Sequence, residues 1–355
     1  MSDDLSLTAN NRSISGWDAV RVTRGIERCP NDFDIEMTEL FPGEASALVV
    51  QPGDACQVAI GGDLVITGYV DRVRPSIGAS SHSIQITGRG KCQDLVDCAA
   101  EWPNGQISGS SALQIAQKLA QPYGISVSAT SADVGPPIPQ FNLIQGETPF
   151  EIIERICRYR GLLAYELPDG SLFLTQVGTA TAASGFTEGV NVETAGICYA
   201  MDGRFSEYQA LLQSMEALGD VGNGGNLFGV AKDPGVPRHR RMVIITESGG
   251  GGRDVCIQRA NWEAARRAGR ANQLVVTTDS WRDSAGILWT PNTLVPLALP
   301  NLKLAQANWV IGSVTYVKSE AGTSADLVIM PPAAFVPQPV LLQPFAADVP
   351  VGGGR

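Results

Sequence analysis

The sequence predicts a mainly β protein in which two small, related antiparallel β-barrels flank an α+β module. Three observations carry that expectation. Glycine (39) and proline (22) in a chain of 355 residues exceed their usual combined share of about 12%, which favours many turns and short strands over a helical bundle. Short apolar/polar alternations dominate both ends of the chain. Between them the apolar spacing changes to the helical period. At roughly 100–200 residues per domain, the length allows two to four units.

Residues 1–98 make the first expected barrel. VRVTRGIERCPNDFDIEMTE, residues 20–39, reads as strand, turn and strand, with Val20 and Val22 on one face and Phe33, Ile35 and Met37 on another. In CQVAI and DLVITGYVDRV, Cys56, Val58 and Ile60 alternate inward, and Leu64 and Ile66 continue the row on the return arm. Gly61 and Gly62 mark the tight reversal between the arms, where glycine takes positive φ without a Cβ clash. Gly68 is counted with them as a structural turn position, and Trp17 as a packing residue of this barrel. SHSIQITGRG adds a strand through Ile84 and Ile86.

Residues 99–182 are the α+β module. SSALQIAQKLA places Leu113, Ala116, Leu119 and Ala120 on one helical stripe, capped by Ser110 or Ser111. TPFEIIERICRYRG has Thr148 as cap, Pro149 at the first helical position, Glu151 reaching back and Gly161 as stop. The hairpin LLAYELPDGSLFLTQ follows, and SADVGPPIPQFNLIQGE between the helices reads as an irregular crossing.

Residues 183–330 are the second expected barrel, with a long exposed loop at 217–238 and an inserted helix at 254–271. On that helix Ile257, Ala260, Ala264, Ala268 and Ala271 share one face, Arg259, Arg266 and Arg270 the opposite one, and Arg267 the flank. Residues 331–355 are proline-spaced and apolar, and are expected to lie as an extended arm on another surface. An internal repeat relates the two barrels. Shifting 66–86 by 244 gives 310–330, with Gly68, Val70, Val73, Gly78 and Ser80 meeting identical residues. Two alike barrels per chain would let three chains build a ring of six alike lobes, a way to join parts of threefold and sixfold symmetry.

Charge and motifs exclude several classes. A net charge of -10 opposes wrapping of nucleic acid, so no sequence-specific nucleic-acid binding is expected. No apolar run reaches the roughly 18 residues of a membrane span and the N-terminal residues lack a basic and apolar leader pattern, so neither a transmembrane segment nor a signal peptide is expected. The seven scattered cysteines read as mostly buried apolar residues of a reducing compartment. His82 and His239 stand in unlike contexts with no G-x-S-x-G elbow, which leaves hydrolysis without a base. Cys92 and Cys98 lack metal-ligand spacing, and the glycines at 249–252 match no phosphate loop. Glu36 and Glu39 face opposite ways, and Glu151 and Glu154 belong to a helix start, so no carboxylate pair suggests sugar cleavage. No cofactor, metal or catalytic residue is therefore expected. The alternative kept open is a carbohydrate-binding or polysaccharide-cleaving β-rich protein.

Three stretches are more telling: WDAVRVTRGIERCPNDFDIEMTE, the run from CQVAIGGDLVITGYVD to GRGKCQDLVDCAA, and TPFEIIERICRYRGLLAYELPDG. Together they resemble the Mu-type phage baseplate hub proteins, the tail protein P-like family of phages and prophages with contractile tails. The resemblance covers essentially the whole chain in layout and is most specific in the first 100 residues. It implies a fold related to the T-even baseplate hub and to the hub portion of type VI secretion spikes. It further implies a homotrimeric ring in the virion baseplate, assembled in the bacterial cytoplasm. The implied partners are the tail tube, the central spike protein and neighbouring baseplate proteins, with DNA passing through the lumen. The family motifs are structural and carry over no catalytic residue. As possible interface residues we nominate Arg259, Arg266, Arg267 and Arg270 on the helix, and Phe335, Leu341 and Phe345 in the C-terminal arm.

Overall fold

In the computed structural model, residues 3–38, 50–79, 82–102, 105–130, 137–213, 226–246 and 253–336 are described. The first block forms β1 (Leu5–Ala9), β2 (Arg12–Ile14), β3 (Ala19–Gly25), β4 (Asp32–Thr38), β5 (Ala55–Ile60), β6 (Asp63–Ile77) and β7 (His82–Gly90). The middle block holds α1 (Gln93–Asp97), β8 (Gln106–Ser110), α2 (Ala112–Ala120), β9 (Val127–Ala129), β10 (Ile138–Asn142), α3 (Pro149–Arg160), β11 (Leu163–Glu166) and β12 (Leu172–Thr175). The last block comprises β13 (Phe186–Thr187), β14 (Thr194–Tyr199), β15 (Glu207–Gln213), β16 (Asn226–Lys232) and β17 (Arg241–Thr246). It continues through α4 (Arg253–Arg270), β18 (Asn272–Thr278), β19 (Leu294–Leu299), β20 (Leu304–Ser319) and β21 (Gly322–Met330).

The expected pair of barrels is not what forms. Among the described residues no sheet closes on itself; the first and last blocks share one 13-stranded sheet, ordered β14-β18-β21-β20-β3-β4-β7-β6-β5-β1-β2, with β19 and β13 branching from β20. The cause is the length of β20. Its first half pairs with β19 on one side, and its second half, Ser313–Lys318, is left to take β3 antiparallel, with Val22 opposite Tyr316. One continuous core results, from Leu5, Trp17 and Phe33 through Trp281, Trp289 and Tyr316.

The two halves nevertheless repeat one plan. β3-β4-β7-β6-β5 and β14-β18-β21-β20-β19 have the same pairing order. Adding 241, not 244, to each number carries Phe33–Gly88 onto Leu274–Ile329, Val73–Ile86 onto Val314–Leu327, and the irregularity at Asp71 onto that at Gly312. At the offset of 244 the paired Val73 and Ile86 would fall on Val317 and Met330, which pair with Ser324 and Val310 instead.

Local signals held where they are self-contained. Ser111 caps α2 and Thr148 caps α3, each in a reciprocal box with the residue three along, Gln114 and Glu151; Pro149 starts α3 and Gly161 ends it. The inward row of Cys56, Val58 and Ile60 is buried, but a register shift in β5/β6 puts Val65 and Ile66 inside and leaves Leu64 half-buried. On α4, Cys256 takes the buried place expected for Ile257, which is 36% exposed. The stretch 217–238 is not all loop: β16 pairs with β15, and β17 completes a separate three-stranded sheet whose inner face packs on α4. The crossing between α2 and α3 likewise contains β10, paired with β8.

Candidate functional site

Glu166 keys the middle block to the sheet. It ends β11 and is 3% exposed, with Oε2 accepting the Asn31 N–H at 2.9 Å and Oε1 the Cys92 N–H at 2.8 Å. Asn31 Nδ2 returns a bond to the Glu166 carbonyl at 3.2 Å, and its Oδ1 takes the Gly25 N–H at 3.3 Å. Burial pushes the Glu166 carboxyl up to about 7, against the opposing pull of those two N–H donors and the nearby Arg24 guanidinium. The preceding Tyr165 reaches the other half of the sheet, where Asn292 Nδ2 lies 3.3 Å from its hydroxyl. Adjacent residues of one short strand thus touch both halves.

Gly61 and Gly62 sit in the β5–β6 reversal at φ 57° and 92°. A Cβ at Gly62 would meet nothing within 4 Å, so only backbone strain opposes a side chain there. Gly62→Val is expected to cost about 1 kcal/mol, seen as a lower urea midpoint at unchanged m. Gly68 is not a turn residue. It lies inside β6, opposite Gly90, with the β7 backbone against it.

The four nominated arginines of α4 are turned to bonds within the chain. Arg259 and Arg267 both pair with Glu263, at 3.0 and 2.5 Å. Arg266 and Arg270 clamp Glu27 and donate to the carbonyls of Val336 (2.7 Å) and Ala334 (3.2 Å). Trp262 joins them, donating to the Val336 carbonyl at 3.2 Å, with the Arg259 and Arg266 guanidinium carbons 4.8 and 5.3 Å from its ring centroid. The arm begins as a short 3-10 turn, Pro332–Phe335, and Phe335 is 1% exposed beneath α4. Leu341 and Phe345 lie outside the described residues.

Residues weighed for chemistry are dispersed. Glu151 belongs to the α3 cap, and Glu154 pairs with Arg158. His82 opens β7 opposite Ile77, and His239 is exposed on a loop. Cys92 is buried and Cys198 exposed. Among the described residues, no three His, Cys, Asp or Glu side chains gather as metal ligands. Nor is any helix there long and apolar enough to cross a membrane.

Two surface features were not read from the sequence. The outer face of the β16-β15-β17 sheet exposes Phe228, Val230, Val243 and Ile245, the last at 83%. A contiguous apolar strip of this kind marks a contact surface. The large sheet also has unlike open edges. β14 pairs only with β18, and Arg72–Ile77 of β6 runs on past β5 with β7 alone beside it, among the described residues.

Comparison with known proteins matches three parts of the chain. Residues 4–90 match "Mu phage baseplate assembly protein GpP-like, N-terminal", residues 92–176 "Baseplate hub protein gp44-like, second domain", and residues 253–338 "Mu phage baseplate assembly protein GpP, fourth domain". The baseplate hub protein gp44 of Escherichia phage Mu is 31% identical over 327 residues, covering 90% of this chain and 85% of that protein. The 43 kDa tail protein of prophage MuSo2 from Shewanella oneidensis has a TM-score of 0.85 at 31% identity, over 94% of this chain and 99% of that one. A tail protein from Neisseria meningitidis MC58 shares the fold, with a TM-score of 0.79 at 23% identity over 96% and 100%.

Proposed function

Since this chain belongs to the Mu-like phage baseplate hub family, we propose that three copies close into a ring joining the tail tube to the central spike, with a passage for DNA. The protein is a structural component of the virion's tail baseplate, assembled in the bacterial cytoplasm. Its family is one of structural baseplate proteins, and we propose that it has no catalytic role of its own. The observation that carries the ring is the duplicated five-strand plan: each chain brings two alike units, so three chains present six to a sixfold neighbour and three to a threefold one. The chain divides, on this reading, into units 1–98, 99–182 and 183–330 and an arm from 331. The strip around Ile245, the arginine helix and the arm are its candidate contacts with neighbouring baseplate proteins.

Light scattering on a sizing column tests the ring. Three 37.5 kDa chains should elute as one species of about 112 kDa, or, once the spike protein is added, as a larger complex that holds three of these chains. A monomer under both conditions would sink the ring.

A further inference from the structure

We propose that the open edge of β14 in one copy pairs antiparallel with Arg72–Ile77 of β6 in the next, in the register of the seam that each chain already contains. This deepens the ring reading and rests on it: the partner is a second copy, and the contact is specified residue by residue.

The internal seam is the template. Ser313–Lys318 of β20 takes Gly25–Val20 of β3, and the Ile26 N–H bonds the Gly312 carbonyl at 3.0 Å. That bond makes Val314–Arg24, Tyr316–Val22 and Lys318–Val20 the hydrogen-bonded pairs of the ladder. By the 241 offset, β6 Arg72–Ile77 is the counterpart of Ser313–Lys318. β14 is likewise the counterpart of β3, since Val20 faces Ile35 as Ala195 faces Val276. Among the described residues, no strand takes the place of β3 beside Arg72–Ile77 of β6, and none takes the place of β20 beside β14. The two vacant edges are complementary and lie in the two different units. Such a head-to-tail contact, unlike a two-fold one, generates a ring when its rotation closes.

Carrying the seam over sets Val73 opposite Tyr199, Arg74 opposite Cys198, Pro75 opposite Ile197 and Ile77 opposite Ala195. Exposure agrees with a missing neighbour. Val314 and Tyr316 at the internal seam are fully buried, whereas their counterparts Val73 and Pro75 are half-buried and exposed. Ile77 stands 79% exposed and Tyr199 56%, while Ala195 and Ile197 already lean on the core. Covering this edge also removes unpaired backbone groups that would otherwise invite random pairing. Pro75 has no N–H, so this seam has one donor fewer than its internal counterpart.

The register gives a direct test. Thr23 and Thr315, the internal counterparts of Cys198 and Arg74, have their hydroxyls 3.2 Å apart. Arg74→Cys, oxidised with copper phenanthroline, should therefore form a disulfide with native Cys198 of the neighbour and yield a covalent trimer on a non-reducing gel. The band should vanish with dithiothreitol, in the double variant with Cys198→Ser, and in Val73→Cys, whose side chain leaves the opposite face. In the unmodified trimer, amide exchange at Ala195, Ile197 and Tyr199 and at Val73 and Ile77 should be at least tenfold slower than in the monomer. A species of trimer mass with no crosslink and fast exchange at both edges overturns the seam and leaves the ring. A chain that stays monomeric with the spike present, and forms no crosslink, overturns both.

Discussion

Gly68→Val is expected to destabilise the chain by about 3 kcal/mol, several times the effect of Gly62→Val. A Cβ at Gly68 would stand 2.0 Å from the Arg89 carbonyl oxygen and 2.6 Å from the Gly90 Cα. Both obstacles are backbone of the paired strand, so no rotamer change can clear them. Nearby, a Cβ at Gly88 would stand only 2.4 Å from the Phe33 ring, and Gly90 faces the Glu166 carboxylate. The three glycines let β6 and β7 approach where the middle block docks on the sheet. Urea melts of the two variants side by side check this. Equal midpoints would mean that the strands can part at Gly68 without cost.

Raising the pH from 5 to 8 is expected to weaken the joint between middle block and sheet, and Glu166→Gln to abolish that dependence. The folded-state carboxyl is raised from 4.5 to about 7, so between those values the folded chain binds the proton that the unfolded chain has released. The stability contributed by the protonated carboxyl is fully present below 4.5 and is lost as pH rises through 7. A shift of that size corresponds to about 3 kcal/mol. Glutamine cannot ionise. It keeps one acceptor for the N–H groups of Asn31 and Cys92 and loses the other, which costs about 1–2 kcal/mol. The variant should be the less stable at pH 5 and the more stable at pH 8, the two profiles crossing in between. Parallel pH profiles in urea melts would show that Glu166 does not titrate in this range.

Much of the local structure was legible because its causes are local. The boxes Ser111–Gln114 and Thr148–Glu151 each close within three residues, and the β5–β6 reversal turns on adjacent glycines. Family membership was legible too, since it rests on runs such as DLVITGYVD rather than on any site geometry. Glu166 carried no such signal: it follows a normal alternation in LAYE, and its burial is made by Asn31 and Cys92, 135 and 74 residues away. Strand β16 was hidden by Gly229 and by the glycines that flank it in the sequence. Gly229 is nonetheless required there, because a Cβ would come within 2.3 Å of the Ile257 nitrogen on α4.

The duplication shows the division most clearly. The sequence by itself determined that both ends of the chain are alternating β, that the middle carries two capped helices, and that the two ends are akin. Only the tertiary structure decided the register of that kinship and the way the ends are joined. Along β6–β7 and β20–β21 the offset of 241 leaves Val73/Val314 and Ser83/Ser324 as identities, so the likeness resides in ladders and bulges that side-chain identity does not record. Whether strands close into two barrels or run on as one sheet depends on which free edge meets which. Val22 meets Tyr316 across nearly 300 residues of chain, and backbone donors and acceptors at an edge are the same for every residue but proline.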